Sequence, residues 1–177
     1  MKSSLFRPIS FGAIALFIAT AASAAFPEKP VSMIVPFAAG GPTDTLARTI
    51  GVAMSAALKQ TVVVENVAGA GGTIGVARVA KAKPDGYTVL LHHIGMATAP
   101  ALYRTLSYKA VDDFEPVGLV ADVPMTLIAR GNFPAADFKS FLTYIKANKD
   151  KVTYANAGLG SASHLCGMLF MSTIETD

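Results

Sequence analysis

The sequence predicts an α/β protein built on a mostly parallel sheet, and three observations carry that expectation. Short, β-branched apolar runs alternate along the chain with segments whose apolar residues recur every three to four positions. Glycine-rich turns join strand to helix at Ala38–Thr43, Gly69–Thr73 and Ala157–Ser161. Strands that follow one another through helices pair in parallel with right-handed crossovers, and ligands on such sheets gather beyond the carboxyl ends of the strands.

The organising stretch is Val31–Arg48, VSMIVPFAAGGPTDTLAR. Ser32–Val35 reads as a buried strand, which Gly40, Gly41 and Pro42 break. Pro42 suits the first helical position, where a missing N–H costs nothing. That leaves Gly41 as N-cap and puts Thr43 and Asp44 in the first turn. Leu46, Ile50, Ala53 and Ala57 then carry the helix to about Lys59. Such a turn presents unpaired N–H groups and the positive end of a helix, a geometry that binds carboxylate or phosphate. Taken alone it is more often plain loop chemistry, and Asp44 reads equally as an acid at the third helical position capping a free N–H.

Further along, Thr61–Glu65 is expected as a second strand, Ile74–Lys83 as a helix and Tyr87–Leu91 as a third strand ending in His92-His93-Ile94-Gly95-Met96. The turns at 38–43, 69–73 and 92–96 should share one sheet edge. Ala97–Tyr103 reads as a short helix and Leu106–Phe114 as a surface connection. Val117–Ala121 and Met125–Ala129 read as two more strands. A second unit follows: a helix capped by Ala136 or Asp137 and running through Asn148, with Phe138, Phe141, Leu142 and Ile145 on its buried face. It continues with a strand at Val152–Asn156 and a helix from about Ser161–Ser163 to Ser172. The second unit has too few strands to cover its own sheet, so the sequence reads as a truncated chain.

The amino terminus carries an address. Lys2 and Arg7, the apolar run Ile9–Ala21 and the A-x-A site Ala22-Ser23-Ala24 read as a signal peptide over residues 1–24, so export is expected and the mature chain is expected to begin at Ala25, give or take one residue. The apolar run is short for a membrane span. Loss of Lys2 and Arg7 leaves 13 basic against 12 acidic residues, and no basic cluster with interleaved aromatics argues for nucleic acid. Cys166 is the single cysteine and has no internal partner; on the apolar face of its helix it reads as a small core residue.

Catalytic chemistry fares poorly. Gly69-x-Gly71 followed by Gly75 misses the dinucleotide fingerprint by one residue and lacks the acid about 20 positions on. No Gly-Lys-Ser/Thr phosphate loop occurs. No cofactor is called for, and no metal: His92 and His93 are strand neighbours expected on opposite faces. Ser161 or Ser163 with His164, or with His92 or His93, could form a nucleophile–base pair. However, the G-x-S-x-G elbow is absent, and the adjacent Ser163 and His164 diverge on a helix. An exported serine hydrolase acting on a small ester or amide is the alternative reading.

Val31–Arg48, ENVAGAGGTIG within Val64–Gly75, AKPDGYTVLL at Ala82–Leu91, FEPVGLVA at Phe114–Ala121 and VTYANAGLGSASH at Val152–His164 occur in one order along the chain. Together they resemble the periplasmic solute-binding proteins of the tripartite tricarboxylate transporter (TctC/Bug) family, whose members are considerably longer. The resemblance implies a type II periplasmic-binding-protein-like fold, two α/β lobes with a ligand cleft between them. Lobe 1 would occupy residues 25–122, and an incomplete lobe 2 residues 123–177. It further implies capture of a small organic acid, delivery to membrane subunits of the transporter, no enzymatic activity and a monomer when full length. The family's ligand loops fall here on Phe37, Ala38, Ala39, Gly40, Thr43 and Asp44, then on Gly71 and Thr73. In the third loop they fall on His93, Gly95 and Met96, and in the fourth on Asn156, Gly158, Ser161, Ser163 and His164. The pair His92-His93 departs from the smaller residues expected there.

Overall fold

The computed structural model describes residues 26–176. The expected signal peptide and the expected first mature residue, Ala25, lie outside them. The centre of the fold is β1 (Val31–Val35), flanked by β2 (Val62–Asn66) and β3 (Thr88–Leu90) in a parallel sheet of order β2-β1-β3. Met33 pairs with Val64 on one side and Val89 on the other. A strand paired on both edges and covered on both faces reads as a continuous apolar run, which is why VSMIV lacks alternation. Val31, Met33, Ile34 and Val35 are all buried.

Helix α1 (Pro42–Leu58) packs Ala47 against β1 and β2, with Leu46, Ile50, Met54 and Leu58 completing that face. Pro42 opens it after the Gly41 N-cap, and Lys59 closes it in the left-handed region at φ 54°. A 3-10 turn at Ala70–Gly72 precedes α2 (Thr73–Ala80), which starts one residue before the sequence expectation and stops three residues short of it. Gly75 allows α2 to lie close to the sheet end. A Cβ there would stand 2.7 Å from Pro36 Cβ and 2.8 Å from the Val67 carbonyl oxygen. The β3 ladder continues past its assigned ends through Ser32 N–H to Tyr87 O at 2.8 Å and Leu91 N–H to Ile34 O at 3.0 Å. Helix α3 (Gly95–Leu102) follows, with Pro100 inside it.

Helix α4 (Phe138–Ala147) is capped by Asp137. Its Oδ1 accepts the Ser140 N–H at 2.7 Å while Ser140 Oγ accepts the Asp137 N–H at 3.1 Å. This reciprocal box satisfies two donors that a helix otherwise leaves orphaned. Helix α5 (Ala162–Thr173) is capped by Ser161, which is fully buried.

Several expectations fail in this half. Residues 117–121, 125–129 and 152–156 are irregular rather than strands, and Val117, Leu119 and Ile128 are more than four-fifths exposed. Apolar runs specify a face, but a strand exists only where its N–H and C=O groups meet a neighbouring strand. Among the described residues no strand lies beside these three segments. Phe138 and Cys166 are exposed rather than buried, and of the expected α4 face Ile145 alone is fully buried.

The close approach at Gly75 has a measurable consequence. Gly75→Ala should destabilise the fold by about 1–3 kcal/mol, the usual cost of overpacking a tight contact. Urea unfolding checks this, and an unchanged midpoint would show that α2 withdraws from Pro36 without loss.

Candidate functional site

The end of β1 hands the chain to Pro36 and Phe37 and then to the turn before α1. Ala38, Ala39 and Gly40 are exposed there, and Thr43 is half-buried. Gly40 sits at φ 81°, a left-handed conformation that glycine adopts without strain. Asp44, 3% exposed, turns back on the loop. Its Oδ2 accepts the Gly40 N–H at 2.8 Å and Arg48 Nε–H at 3.0 Å, and Arg48 Nη2 stands 3.0 Å from Oδ1. The Arg48 bond first, and then the Gly40 N–H, hold the carboxyl down to about 2. Arg48 also donates to Asn66 Oδ1 at 3.1 Å, and Asn66 Nδ2 donates to the Phe37 carbonyl at 3.1 Å. Asp44 therefore acts as an internal cap that ties the turn, α1 and the end of β2 together. It occupies the Gly40 N–H, while Gly41 as N-cap brings no side chain of its own to the first turn.

Beyond β3, His92 and His93 lie in a loop, not on strand faces, and their rings touch edge to face at 4.9 Å. This corrects the expectation that they point apart: once the strand ends, the alternation of side chains ends with it. Phe37 stacks on His93 with ring centroids 4.3 Å apart and meets His92 edge-on at 5.3 Å. His92 Nδ1 accepts the His93 N–H at 2.7 Å, and His93 Nδ1 accepts the Gly95 N–H at 3.1 Å. His92 Nδ1 also stands 3.0 Å from the His93 carbonyl oxygen, so the contacts of that nitrogen fit either neutral tautomer. Burial, reinforced by the neighbouring His93, pushes His92 down to about 4, and burial also lowers His93. No group of His, Cys, Asp or Glu among the described residues could hold a metal ion.

The third component is the loop before α5. Asn156 Oδ1 accepts the Gly158 N–H at 2.9 Å, and Ser163 Oγ accepts the Ala157 N–H at 2.9 Å. Ser161 Oγ accepts the His164 N–H at 3.2 Å, and His164 Nδ1 accepts the Gly160 N–H at 3.3 Å. The two hydroxyls stand 3.1 Å apart. Each of these side chains serves the backbone of its own loop, so the serine–histidine pair of the hydrolase reading does not form.

This loop rests on the carboxyl edge of the three-stranded sheet. Tyr103 Oη lies 2.8 Å from both the Ala70 and Leu159 carbonyl oxygens, and Thr98 Oγ1 lies 3.4 Å from the Gly160 carbonyl. A Cβ on Gly71 would collide with the Leu159 carbonyl, and one on Gly95 would stand 3.0 Å from the Gly160 carbonyl. The structure thus brings Gly71, Gly95, Gly158 and His93 into one neighbourhood, with Phe37 joining through its ring. Thr73 donates to the Ala70 carbonyl at 3.0 Å, closing its own turn. Thr43 and Asp44 belong to the neighbouring α1 turn, and Met96 is half-buried on α3. A cavity of about 410 Å³ lies against α2, lined by Arg78, Lys81, Thr105 and Tyr108, and of the expected site residues it includes only Thr73. Sequence reasoning missed Tyr103, Arg48 and Asn66. Arg48 was readable, since it stands four residues after Asp44 on a helix; the other two meet their partners only through the fold.

With this geometry in place, comparison with known proteins is decisive. The model of the tripartite tricarboxylate transporter family receptor matches residues 46–176. The chain belongs to that family. A UPF0065 protein of Agrobacterium vitis is 48% identical over 151 residues, covering 85% of this chain and 44% of the relative. Among solved structures, the periplasmic binding protein BugD is 55% identical with a TM-score of 0.83, covering 86% of this chain and 51% of that one. MatC from Rhodopseudomonas palustris with bound malate is 42% identical with a TM-score of 0.80, covering 86% and 52%. This TctC-family chain spans about half the length of the curated relatives it matches. The family is one of transporter receptors and not of enzymes, and BugD is a periplasmic binding protein; the parallel α/β sheet agrees with that fold.

The buried imidazoles give the TctC-family chain a pH dependence. A histidine held below its unfolded value binds fewer protons in the folded state, so stability falls as pH drops from about 6.5 towards about 4. Asp44 adds its own loss only lower, from 3.8 towards about 2. His92→Asn, which keeps an acceptor for the His93 N–H, should flatten the melting temperature between pH 6.5 and 4.5. Melts of both proteins across that window check it, and parallel curves would move the dependence to other groups.

Proposed function

We propose that this protein is exported to the periplasm, captures a small organic acid between two lobes, and presents it to the membrane subunits of a tripartite tricarboxylate-type transporter. Lobe 1 would comprise residues 25–122 and lobe 2 would begin at residue 123, the receptor acting as a monomer. One observation carries the reading: the Gly158–Ser161 loop at the start of α5 seats on the Gly69–Gly72 turn and α3. Two glycine-rich turns, each leading into a helix, therefore face each other at the carboxyl edge of a parallel sheet. The α1 turn stands beside them, its Gly41 N-cap bringing no side chain to the first-turn N–H groups while Asp44 occupies only that of Gly40. Backbone donors at helix starts suit a carboxylate, and a relative with 42% identity is known with malate. The family resemblance supports Ala38, Ala39, Thr43 and the Asn156–His164 loop as ligand neighbours. Asp44 and the Ser161 hydroxyl, already engaged, hold those loops in shape.

Calorimetric titration with malate, succinate and butyrate tests the reading. The dicarboxylates should bind more tightly than the monocarboxylate and raise the melting temperature, since a ligand of the folded state stabilises it. Thr43→Ala should weaken malate binding by about 0.5–1.5 kcal/mol, the net value of one hydrogen bond. Absence of heat and of any thermal shift with all three acids would remove the organic-acid assignment.

A further inference from the structure

We infer that Tyr103 is the clasp that holds the two ligand loops together, a positioning residue that sets how long a bound acid is retained. The inference rests on the two-lobe reading above. Tyr103 is the first residue after α3, where its backbone N–H still donates to the Ala99 carbonyl at 2.9 Å. That bond fixes the side chain at the end of a helix whose other end begins at the His93–Gly95 turn. The phenol stands 2.8 Å from the carbonyl of Ala70, 33 residues away, and 2.8 Å from that of Leu159, 56 residues away. No other side-chain hydroxyl among the described residues joins the Gly69–Gly72 turn to the Gly158–Ser161 loop at hydrogen-bonding distance below 3 Å.

The backbone around it is shaped for contact. Gly71, at φ 63°, leaves room for the Leu159 carbonyl where any Cβ would collide, and its Cβ position also falls 2.6 Å from Tyr103 Oη. Gly158 approaches Gly71 so closely that its own Cβ would stand 3.2 Å from the Gly71 nitrogen. Loop meets loop along bare backbone, a seat that comes together and parts without repacking side chains.

The phenol has one proton and two acceptors. While the loops meet the proton is shared between the two carbonyls, and the Leu159 share is lost when they part, so the hydroxyl favours the met arrangement. A clasp of this kind biases closure weakly and leaves the decision to the ligand, which favours the closed arrangement only by as much as it binds that arrangement better.

The test uses spin labels on Cys166, which is exposed on α5, and on Val52→Cys, 74% exposed on α1, with their separation followed by pulsed dipolar spectroscopy. Tyr103→Phe should shift the ligand-free distribution towards longer distances and leave the melting temperature unchanged. With malate as probe it should raise Kd about two- to tenfold, the effect of one net hydrogen bond, through the dissociation rate and not the association rate. Gly71→Ala, which fills the seat of the Leu159 carbonyl, should lengthen the distance in the same sense. An unchanged distribution in both variants would overturn the inference, as would a lowered melting temperature with no change in distance. A shifted distribution in a protein that binds no malate would leave the clasp standing and reject the malate reading alone.

Discussion

Burial of β1 on both edges and both faces is the constraint on which the rest of the structure depends. A strand that pairs on both sides and is covered on both faces leaves little room for polar groups within it, Ser32 being held by Glu65, and the carboxyl end receives most of the rest. Pro36 is buried and forms the floor on which Gly75 lets α2 sit. Phe37, one residue later, leaves the sheet and supplies the ring that stacks on His93. Asn66, the last residue of β2, ties the Phe37 carbonyl to Arg48. The candidate site is therefore assembled from the first residues that β1, β2 and β3 can no longer bury. This is the physical content of the rule that ligands gather at the carboxyl edge of such sheets.

The same edge shows how a buried carboxylate is tolerated beside a proposed anion site. Asp44 gives up water for the Gly40 N–H and the Arg48 guanidinium, the kind of charge-assisted partners that compensate a desolvated acid. With Arg48 paired internally, its charge is largely spent. Attraction for an incoming acid would then fall to backbone N–H groups and to the helix ends behind them. Such donors are fixed in direction and carry only partial charge, which favours selective but reversible binding over the grip of a full ion pair.

The fold of residues 26–103 was legible in the sequence because its signals are local. The run VSMIV, the Gly-Gly-Pro turn and the apolar spacing of α1 each declare their element within a few residues, and the structure moves their ends by one to three positions. The cap of α4 was narrowed to Ala136 or Asp137, of which Asp137 serves, and a helix start near Ser161 was equally readable. Legibility ended where pairing had to come from elsewhere. Residues 117–121, 125–129 and 152–156 have strand composition, but composition supplies no neighbour, and Val117 stands 95% exposed. Cys166 failed for a related reason: helical periodicity identifies an apolar face without saying what covers it. Within the site, the capping role of Asp44 followed from its position in the first turn. The contact between the rings of His92 and His93 depended on β3 ending at Leu90, a boundary that periodicity does not resolve. Tyr103 carried no signal at all, since a lone tyrosine after a short helix acquires meaning only from carbonyls 33 and 56 residues distant.

The histidine pair departs from the small residues that the family resemblance led one to expect, and its chemistry explains how it is accommodated. A charged imidazolium beside the proposed carboxylate site would turn a backbone-donor cradle into an ion pair and make retention depend on pH near neutrality. Burial against Phe37 and mutual contact hold His92 far below that range, and the Nδ1 atoms are committed to the His93 and Gly95 N–H groups. What remains on each ring is Nε2 and an aromatic face. His92 Nε2 comes close to Gly72, whose Cβ position would be only 3.2 Å away, so bulk at that glycine would press directly on the ring. The two imidazoles thus enter as packing and polar shape, and they brace the turn that begins α3, the helix that carries Tyr103 at its far end.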